Sequence, residues 1–328
     1  MNPVKRPMEG QGCLQCPDPY IFVVGCARSG TTILAEVLGR HPEVAQWYEP
    51  YFVWDYCLGN AESDSRTGED ITRMVKDFIR KEFELFRKKT GAKIVVEKSP
   101  ENSFRLPFVH AIFPHAKWIH IYRDGRDVTL SIHREWEKRR KIVEQQRWRD
   151  WFSVAWEALS LQPYWRNRLQ AIWFEVNNGI STGLRGFLNK SKWNGKVGWG
   201  PRFPGWAGAL EGNSVLRFNA LQWVRSVEAI QAASCTISRD NFMEVRYEAF
   251  ITDPERVLSE IFLFAGLSPE FRLAEDLNAQ NTSKWVSAFT SQQIEEIAPI
   301  LTPMLRSLGY VRDANWWFES QPEAGPAE

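Results

Sequence analysis

Short apolar runs bounded by turns alternate along this chain with longer stretches of helical period. Ile21 to Val24 is apolar throughout and reads as a buried strand. A tight loop from Gly25 to Gly30 follows, and Ile33, Leu34, Val37 and Leu38 then mark one face of a helix. Val44 to Tyr56 holds a second strand or loop, with Glu49-Pro50-Tyr51 inside it, and Asn60 to Gly68 is polar and turn-like. Over residues 69–89 the positions Ile71, Met74, Val75, Phe78, Ile79, Phe83 and Phe86 recur at helical spacing until Gly91 ends the pattern. Ile94 to Val96 is a short strand, 103–113 a helix, and Ala116 to Tyr122 another strand. Asp124-Gly125 marks a turn, after which Asp127 is placed to cap a helix starting at Val128. Farther on, 214–234 is helical, Phe242 to Glu248 reads as the last core strand, and Asp253-Pro254 caps a helix through Ala265. A final helix covers 291–308 and stops at Gly309. Strands alternating with helices predict a three-layer α/β/α fold with a mostly parallel central sheet, whose ligands sit at the strands' C-terminal ends.

The region 134–213 breaks this rhythm. Nine of the sixteen tryptophans fall between Trp136 and Trp206, a basic run Lys138-Arg-Arg-Lys141 opens it, and its second half is rich in glycine. An aperiodic insert this long is usually functional or disordered, and its aromatic content argues against disorder. It reads as a lid or an acceptor-binding wall, with an extra packing layer as the alternative. The chain divides into a tail over 1–18, one domain over 19–318 that carries this insert, and a second tail over 319–328.

Two cassettes carry the candidate chemistry. The first is Gly25-Cys-Ala-Arg28-Ser29-Gly30-Thr31-Thr32, set between a strand and a helix. Its glycine spacing is that of a P-loop, whose N–H groups and helix dipole favour a phosphate. The lysine of an ordinary nucleotide-phosphate loop is missing, Thr31 stands in its place, and the nearest cation is Arg28. The second is Arg123-Asp-Gly-Arg-Asp-Val-Thr-Leu-Ser131, which sets two guanidiniums and a hydroxyl at another strand–helix junction and suits a second phosphate.

Together these cassettes resemble the sulfotransferase superfamily, and the Arg-Ser-Gly-Thr-Thr form looks most like the tyrosylprotein sulfotransferases and their bacterial relatives. The resemblance covers residues 20–135 well and 240–310 more loosely. It implies a PAPS-dependent enzyme that moves a sulfuryl group to a hydroxyl or amine and releases PAP, with no metal required. On that basis Arg28, Ser29, Gly30, Thr31 and Thr32 would hold the 5′-phosphosulfate. Arg123 and Ser131 would hold the 3′-phosphate, with help from Arg126 unless that residue pairs with Asp124 or Asp127. Glu49 is the implied base, with Glu43, Glu97, His41 and His133 as rivals, and the turn at His41-Pro42 makes His41 structural. Lys98, before Ser99-Pro100, is the implied acid or electrostatic catalyst beside Arg28. Tyr247 would contact the donor, and Lys284-Trp285 would close over it.

Two other readings are carried alongside. A P-loop kinase with a displaced lysine would need a magnesium-binding aspartate, for which Asp124 is the candidate. An inactive member that binds a glycan or partner through its aromatic insert would be expected to have lost donor residues.

Composition narrows the field. With 328 residues, 44% of them hydrophobic, the chain supports one large domain. Its 41 basic and 40 acidic residues give a net charge of +1, which is poor footing for a nucleic-acid binder. No apolar run is long enough to span a membrane, and Met1 to Gly12 has no apolar signal core. The reading is therefore a cytoplasmic protein, unlike the lumenal, membrane-anchored animal tyrosylprotein sulfotransferases. Five scattered cysteines make a poor disulfide framework. Cys13 and Cys16 form a lone C-x-x-C pair, half of a zinc site that lacks a second pair or His cluster or else part of a flexible reduced tail, and Cys26, inside the loop, is a candidate oxidation-sensitive thiol. Residue types alone leave the acceptor open among a glycan, a small metabolite, a lipid and a peptide tyrosine.

Overall fold

The computed structural model describes residues 18–56, 62–144, 193, 198–269, 282–313 and 316–317. Most of the two tails, Cys13 and Cys16, and most of the aromatic insert lie outside the described residues.

Five strands form one sheet in the order β2-β3-β1-β4-β5, and every pairing is parallel. They are β1 Tyr20–Val24, β2 Val44–Tyr48, β3 Ile94–Lys98, β4 Lys117–Tyr122 and β5 Phe242–Arg246. All five residues of β1 are buried, which is the signature of a strand covered on both faces. Alternation then sorts the side chains. Tyr20, Phe22 and Val24 face one layer with Trp47, Trp54 and Trp118, while Ile21 and Val23 face the other with Val96, Ile119 and Ile121. The first layer is closed by α3 (Arg73–Thr90) and α4 (Asn102–Ile112), and the second by α1 (Thr31–Gly39) and the helix Pro254–Ala265. Gly91 ends α3 at φ 69°, as the sequence pattern predicts, and Thr72 caps its start through Val75 N–H.

Chain order places the site. β1 leads through α1 to β2 on one side, whereas β3 leads through α4 to β4 on the other. The crossovers diverge at β1, so its C-terminal end is the switch point where open parallel sheets bind ligands. The loop at Gly25, Glu49, Lys98, Arg123 and Tyr247 each end or directly follow a different strand at this one edge.

Several boundaries differ from the sequence reading: α3 starts at Arg73 and not at residue 69, and β3 runs on past Val96 to Lys98. Helix α5 spans Gly125–Glu144, so it starts at Gly125 and not Val128. Asp124 does the capping: its carbonyl accepts from Val128 N–H and its carboxylate from Arg126 N–H, which leaves Asp127 in the first turn. The strand Phe242–Arg246 ends early, and Tyr247 opens a short helix, Tyr247–Thr252. Residues 134–144 belong to α5 and are not part of an aperiodic insert.

The described aromatics of the insert form a packing layer. Trp136, Trp193, Phe203 and Trp206 are buried in a third cluster with Phe218 and Trp223, both from the helix Val215–Ser234. Trp193 meets Trp206 edge-on at 4.8 Å between ring centroids. Trp199 is an exception, because it remains partly exposed and reaches the first loop.

Candidate active site

The first loop is shaped by two glycines. A Cβ on Gly25 would lie 2.4 Å from the carbonyl oxygen of Ile121, so only glycine lets β1 and β4 approach here. Gly30 stands at φ 96° as the N-cap of α1, with the ring of Tyr247 pressed against its α-carbon. No side chain caps α1, so its first N–H groups point toward the site. Ser29 is 1% exposed and its Oγ has no partner among the described residues. An orphaned hydroxyl next to an uncapped helix start is a ready phosphate cradle. Thr31 is buried beside it and Thr32 is partly exposed.

Arg28 is held in the left-handed region at φ 72°. This turn lifts its side chain out of the loop, where Nε donates to Ser131 Oγ at 3.0 Å and the guanidinium lies 6.0 Å from the Trp199 ring centroid. Arg123, at the end of β4, is nearly buried. It donates to the Arg28 carbonyl at 3.3 Å, lies over the Tyr247 ring at 4.6 Å and pairs with Asp127 at 3.7 Å. The two cassettes are therefore in direct contact.

Arg126 resolves to one of its alternatives. Its guanidinium pairs with both oxygens of Asp124 and lies over the rings of Trp285 and Trp316, so it stabilises the turn. The same pairing takes up the aspartate that a kinase would need for magnesium. Asp127 accepts from Ser283 N–H at 2.7 Å and Trp285 N–H at 3.1 Å. That anchors the segment carrying Lys284, which is exposed beside the second cassette. Glu248 adds a support that the sequence did not reveal, accepting from Asp124 N–H and from Tyr310 Oη.

On the other side of the loop, Glu49 follows β2 and Lys98 ends β3. Tyr48 and Lys98 are register partners, which makes the two side chains neighbours. Lys98 Nζ lies 2.5 Å from Glu49 Oε1 and 4.7 Å from the centroid of the Tyr48 ring. Lys98 is 2% exposed. Burial works against its charge, but the Glu49 carboxylate, with Tyr48, holds its pKa above the usual lysine range. Tyr51, another residue unassigned from sequence, donates to Glu49 Oε2 at 2.7 Å. Glu49 itself sits at φ 44°. Among the described residues, only Arg28, Glu49 and Ser283 are non-glycine residues with positive φ, and all three border this edge.

The rival bases are placed elsewhere. His41 is buried, bonded to the Ser268 carbonyl and the Glu43 N–H, and is structural as expected. Glu43 pairs with Lys93 at 2.8 Å, away from the strand ends. Glu97 faces inward and accepts from Trp54, Ser99 and Asn102. His133 lies farther along α5 with Glu137, Arg140 and Glu296 for charged neighbours. Cys26 is not the sensitive thiol expected. It is buried, and burial pushes its pKa up to about 12, which keeps the unreactive thiol form. Among the described residues, no group of side chains could hold a metal ion and no helix is long and apolar enough to cross a membrane.

A family model described as "Sulfotransferase family" matches residues 19–177. Protein-tyrosine sulfotransferase A of Caenorhabditis elegans is 28% identical over 130 residues, which cover 35% of this chain and 33% of that protein. Protein-tyrosine sulfotransferase 1 of Danio rerio is 32% identical over 126 residues, covering 35% of this chain and 34% of that protein. The chain thus spans about a third of the length of these two curated relatives. Among solved structures, the sulfotransferase domain from the Synechococcus PCC 7002 olefin synthase superposes with a TM-score of 0.51 at 16% identity, covering 90% of this chain and 96% of that one, a likeness of fold. Over residues 19–177, which hold both cassettes, the chain matches the sulfotransferase family, and the related proteins and the fold support a sulfotransferase superfamily member.

Proposed function

We propose that this protein transfers a sulfuryl group from PAPS to a hydroxyl-bearing acceptor, with Glu49 as the base. The observation that carries the reading is the Glu49–Lys98 pair, 2.5 Å apart and set at the strand ends that also carry the phosphate loop and Arg123.

The residues divide the work. The N–H groups at the start of α1, the orphaned Ser29 hydroxyl and the Thr31 and Thr32 hydroxyls suit the phosphosulfate end of the donor. Arg123 and Ser131 suit the 3′-phosphate, the group that separates PAPS from ATP. Bound PAPS supplies an activated sulfuryl group whose departure leaves negative charge on the 5′-phosphate. Arg28 and Lys98 provide fixed positive charge at that edge, in place before reaction and therefore without reorganisation cost. Glu49 takes the proton of the acceptor hydroxyl, for which it must come within hydrogen-bond reach. Lys98 orients Glu49 by donating to its Oε1. The names of the related proteins make a tyrosine phenol the first acceptor class to try.

Calorimetric binding of PAP, with ADP and ATP–Mg²⁺ as controls, tests the donor site. Preference for PAP supports the reading and justifies an acceptor screen starting with tyrosine peptides. Preference for ATP–Mg²⁺ would reject it.

A further inference from the structure

Both oxygens of Glu49 are engaged. Lys98 holds Oε1, and the phenol of Tyr51 donates to Oε2 at 2.7 Å. Tyr51 opens the short helix α2, Tyr51–Trp54, only two residues after the carboxylate it covers. This fold-back depends on local backbone geometry. Glu49 turns at φ 44°, and Tyr51 N–H donates to the Glu49 carbonyl at 2.8 Å. The side chain of Tyr51 is thereby brought over that of Glu49.

The rest of α2 is fixed while Tyr51 is at its edge. Val53 and Trp54 are fully buried, and Trp54 donates to Glu97 in the floor of the sheet. Tyr51 is 37% exposed, so its ring lies at the mouth of the site and can leave without opening the core. Burial of the hydroxyl, with the nearby charges of Glu101 and Glu49, raises its pKa well above that of ordinary tyrosine. The phenol therefore stays protonated and remains a donor.

A base must accept a hydrogen bond from the acceptor. Oε1 faces the buried Lys98, so the side of the carboxylate turned to the mouth of the site is Oε2, where Tyr51 now stands. We propose that Tyr51 is a plug on the base: it holds Glu49 Oε2 until an acceptor hydroxyl replaces it, and so keeps water from that position. The inference rests on the reading of Glu49 as base. Its significance lies in the side reaction. Water at Oε2 would pass its proton to Glu49 while its oxygen bonds to sulfur and the bond from sulfur to the phosphate oxygen breaks. The products would be sulfate and PAP, and the donor would be lost without transfer. A phenol in the water's place suppresses that route, and exchanging one hydroxyl for another on the same carboxylate oxygen is close to balanced in free energy.

The test is to incubate the protein with PAPS and no acceptor, and to measure sulfate and PAP release alongside calorimetric PAP binding. Tyr51→Phe should hydrolyse PAPS on the order of tenfold faster than the unsubstituted protein, a fraction of what a positioned base gives. The double variant Glu49→Gln/Tyr51→Phe should fall back to the rate of Glu49→Gln. PAP binding should be alike in all of them. A rise that leaves PAP binding unchanged and disappears in the Glu49→Gln background does not come from damage to the fold. Unchanged hydrolysis in a Tyr51→Phe protein that still binds PAP would overturn the plug and leave the donor reading standing. So would a sulfuryl mass increment on Tyr51, since the phenol would then be a nucleophile. Failure of the unsubstituted protein to bind PAP would overturn the reading beneath it.

Discussion

Arg28 Nε donates to Ser131 Oγ at 3.0 Å across 103 positions of sequence. The bond joins the loop after β1 to the first turns of α5, and Arg123 reinforces it by donating to the Arg28 carbonyl. The sequence places the two cassettes at separate strand–helix junctions, and in the fold they share a wall. The strained backbone of Arg28 at φ 72° is what directs its side chain toward that wall. A conformation of this kind costs on the order of 1–3 kcal/mol and persists only where surrounding contacts fix it.

On the proposed reading, donor specificity follows from the Arg123 side of the wall. Arg123→Ala removes the cation nearest the proposed 3′-phosphate but leaves the start of α1 intact. PAP affinity is expected to drop on the order of 100-fold, the loss typical of a charge-assisted pair. Adenosine 5′-phosphate, which lacks the 3′ group, should lose far less. Titration of both ligands against the two proteins measures the difference, and an equal loss for both would remove Arg123 from the 3′ site.

Glu49 and Lys98 should differ in what their removal does. Glu49→Gln keeps the shape and should leave PAP binding within about twofold, while transfer to an acceptor falls roughly 10²–10⁴-fold, the usual contribution of a general base. Lys98→Met should also reduce transfer. It leaves Glu49 without the partner that orients it and removes fixed positive charge from the edge, so the loss should be on the order of tenfold or more. Single-turnover rates report both effects. Undiminished transfer by Glu49→Gln would transfer the base role elsewhere.

Much of this site was legible because its parts are local. Gly25 to Thr32 and Arg123 to Ser131 are contiguous, and strand–loop–helix patterning assigns each to a strand's C-terminal end. The helix start at Gly125 was misplaced because Asp127 looked like a cap, whereas its carboxylate serves Ser283 and Trp285, 156 and 158 positions away. Tyr51 was in view, two residues from Glu49, but only the bend at Glu49 turns that adjacency into a hydrogen bond. Residue type alone also left Trp136, Trp193 and Trp206 open between a binding wall and a packing layer. The choice depended on Phe218 and Trp223, which pack against them from a distant helix.

Gly30 offers a separate check on the loop. A Cβ there would lie 2.4 Å from Cδ2 of Tyr247, and φ 96° is unfavourable for any other residue. Gly30→Ala should destabilise the protein by about 1–3 kcal/mol and weaken PAP binding as the loop shifts. Adding Tyr247→Ala removes the clash but not the backbone strain. The double variant should therefore recover part, and only part, of the loss in denaturant midpoint.

Glu97 provides a test of the floor beneath the Glu49–Lys98 pair. Its carboxyl is 0% exposed, accepts from Trp54 Nε1 at 2.9 Å and Asn102 Nδ2 at 2.8 Å, and stands next to Lys98 in β3. Burial pushes its pKa up to about 7, against the smaller lowering effects of its hydrogen bonds and of Lys98. The protonated native carboxyl favours folding below the unfolded value near 4.5, and that contribution is lost as pH rises through about 7. The shift corresponds to roughly 3 kcal/mol. Stability should therefore decline between about pH 5 and pH 8, and the neutral Glu97→Gln should flatten the decline while keeping the acceptor oxygen for Trp54. Denaturant unfolding of both proteins across that range measures it. Parallel curves for the two would mean that Glu97 is already ionised in the folded protein and that its hydrogen bonds, together with Lys98, outweigh its burial.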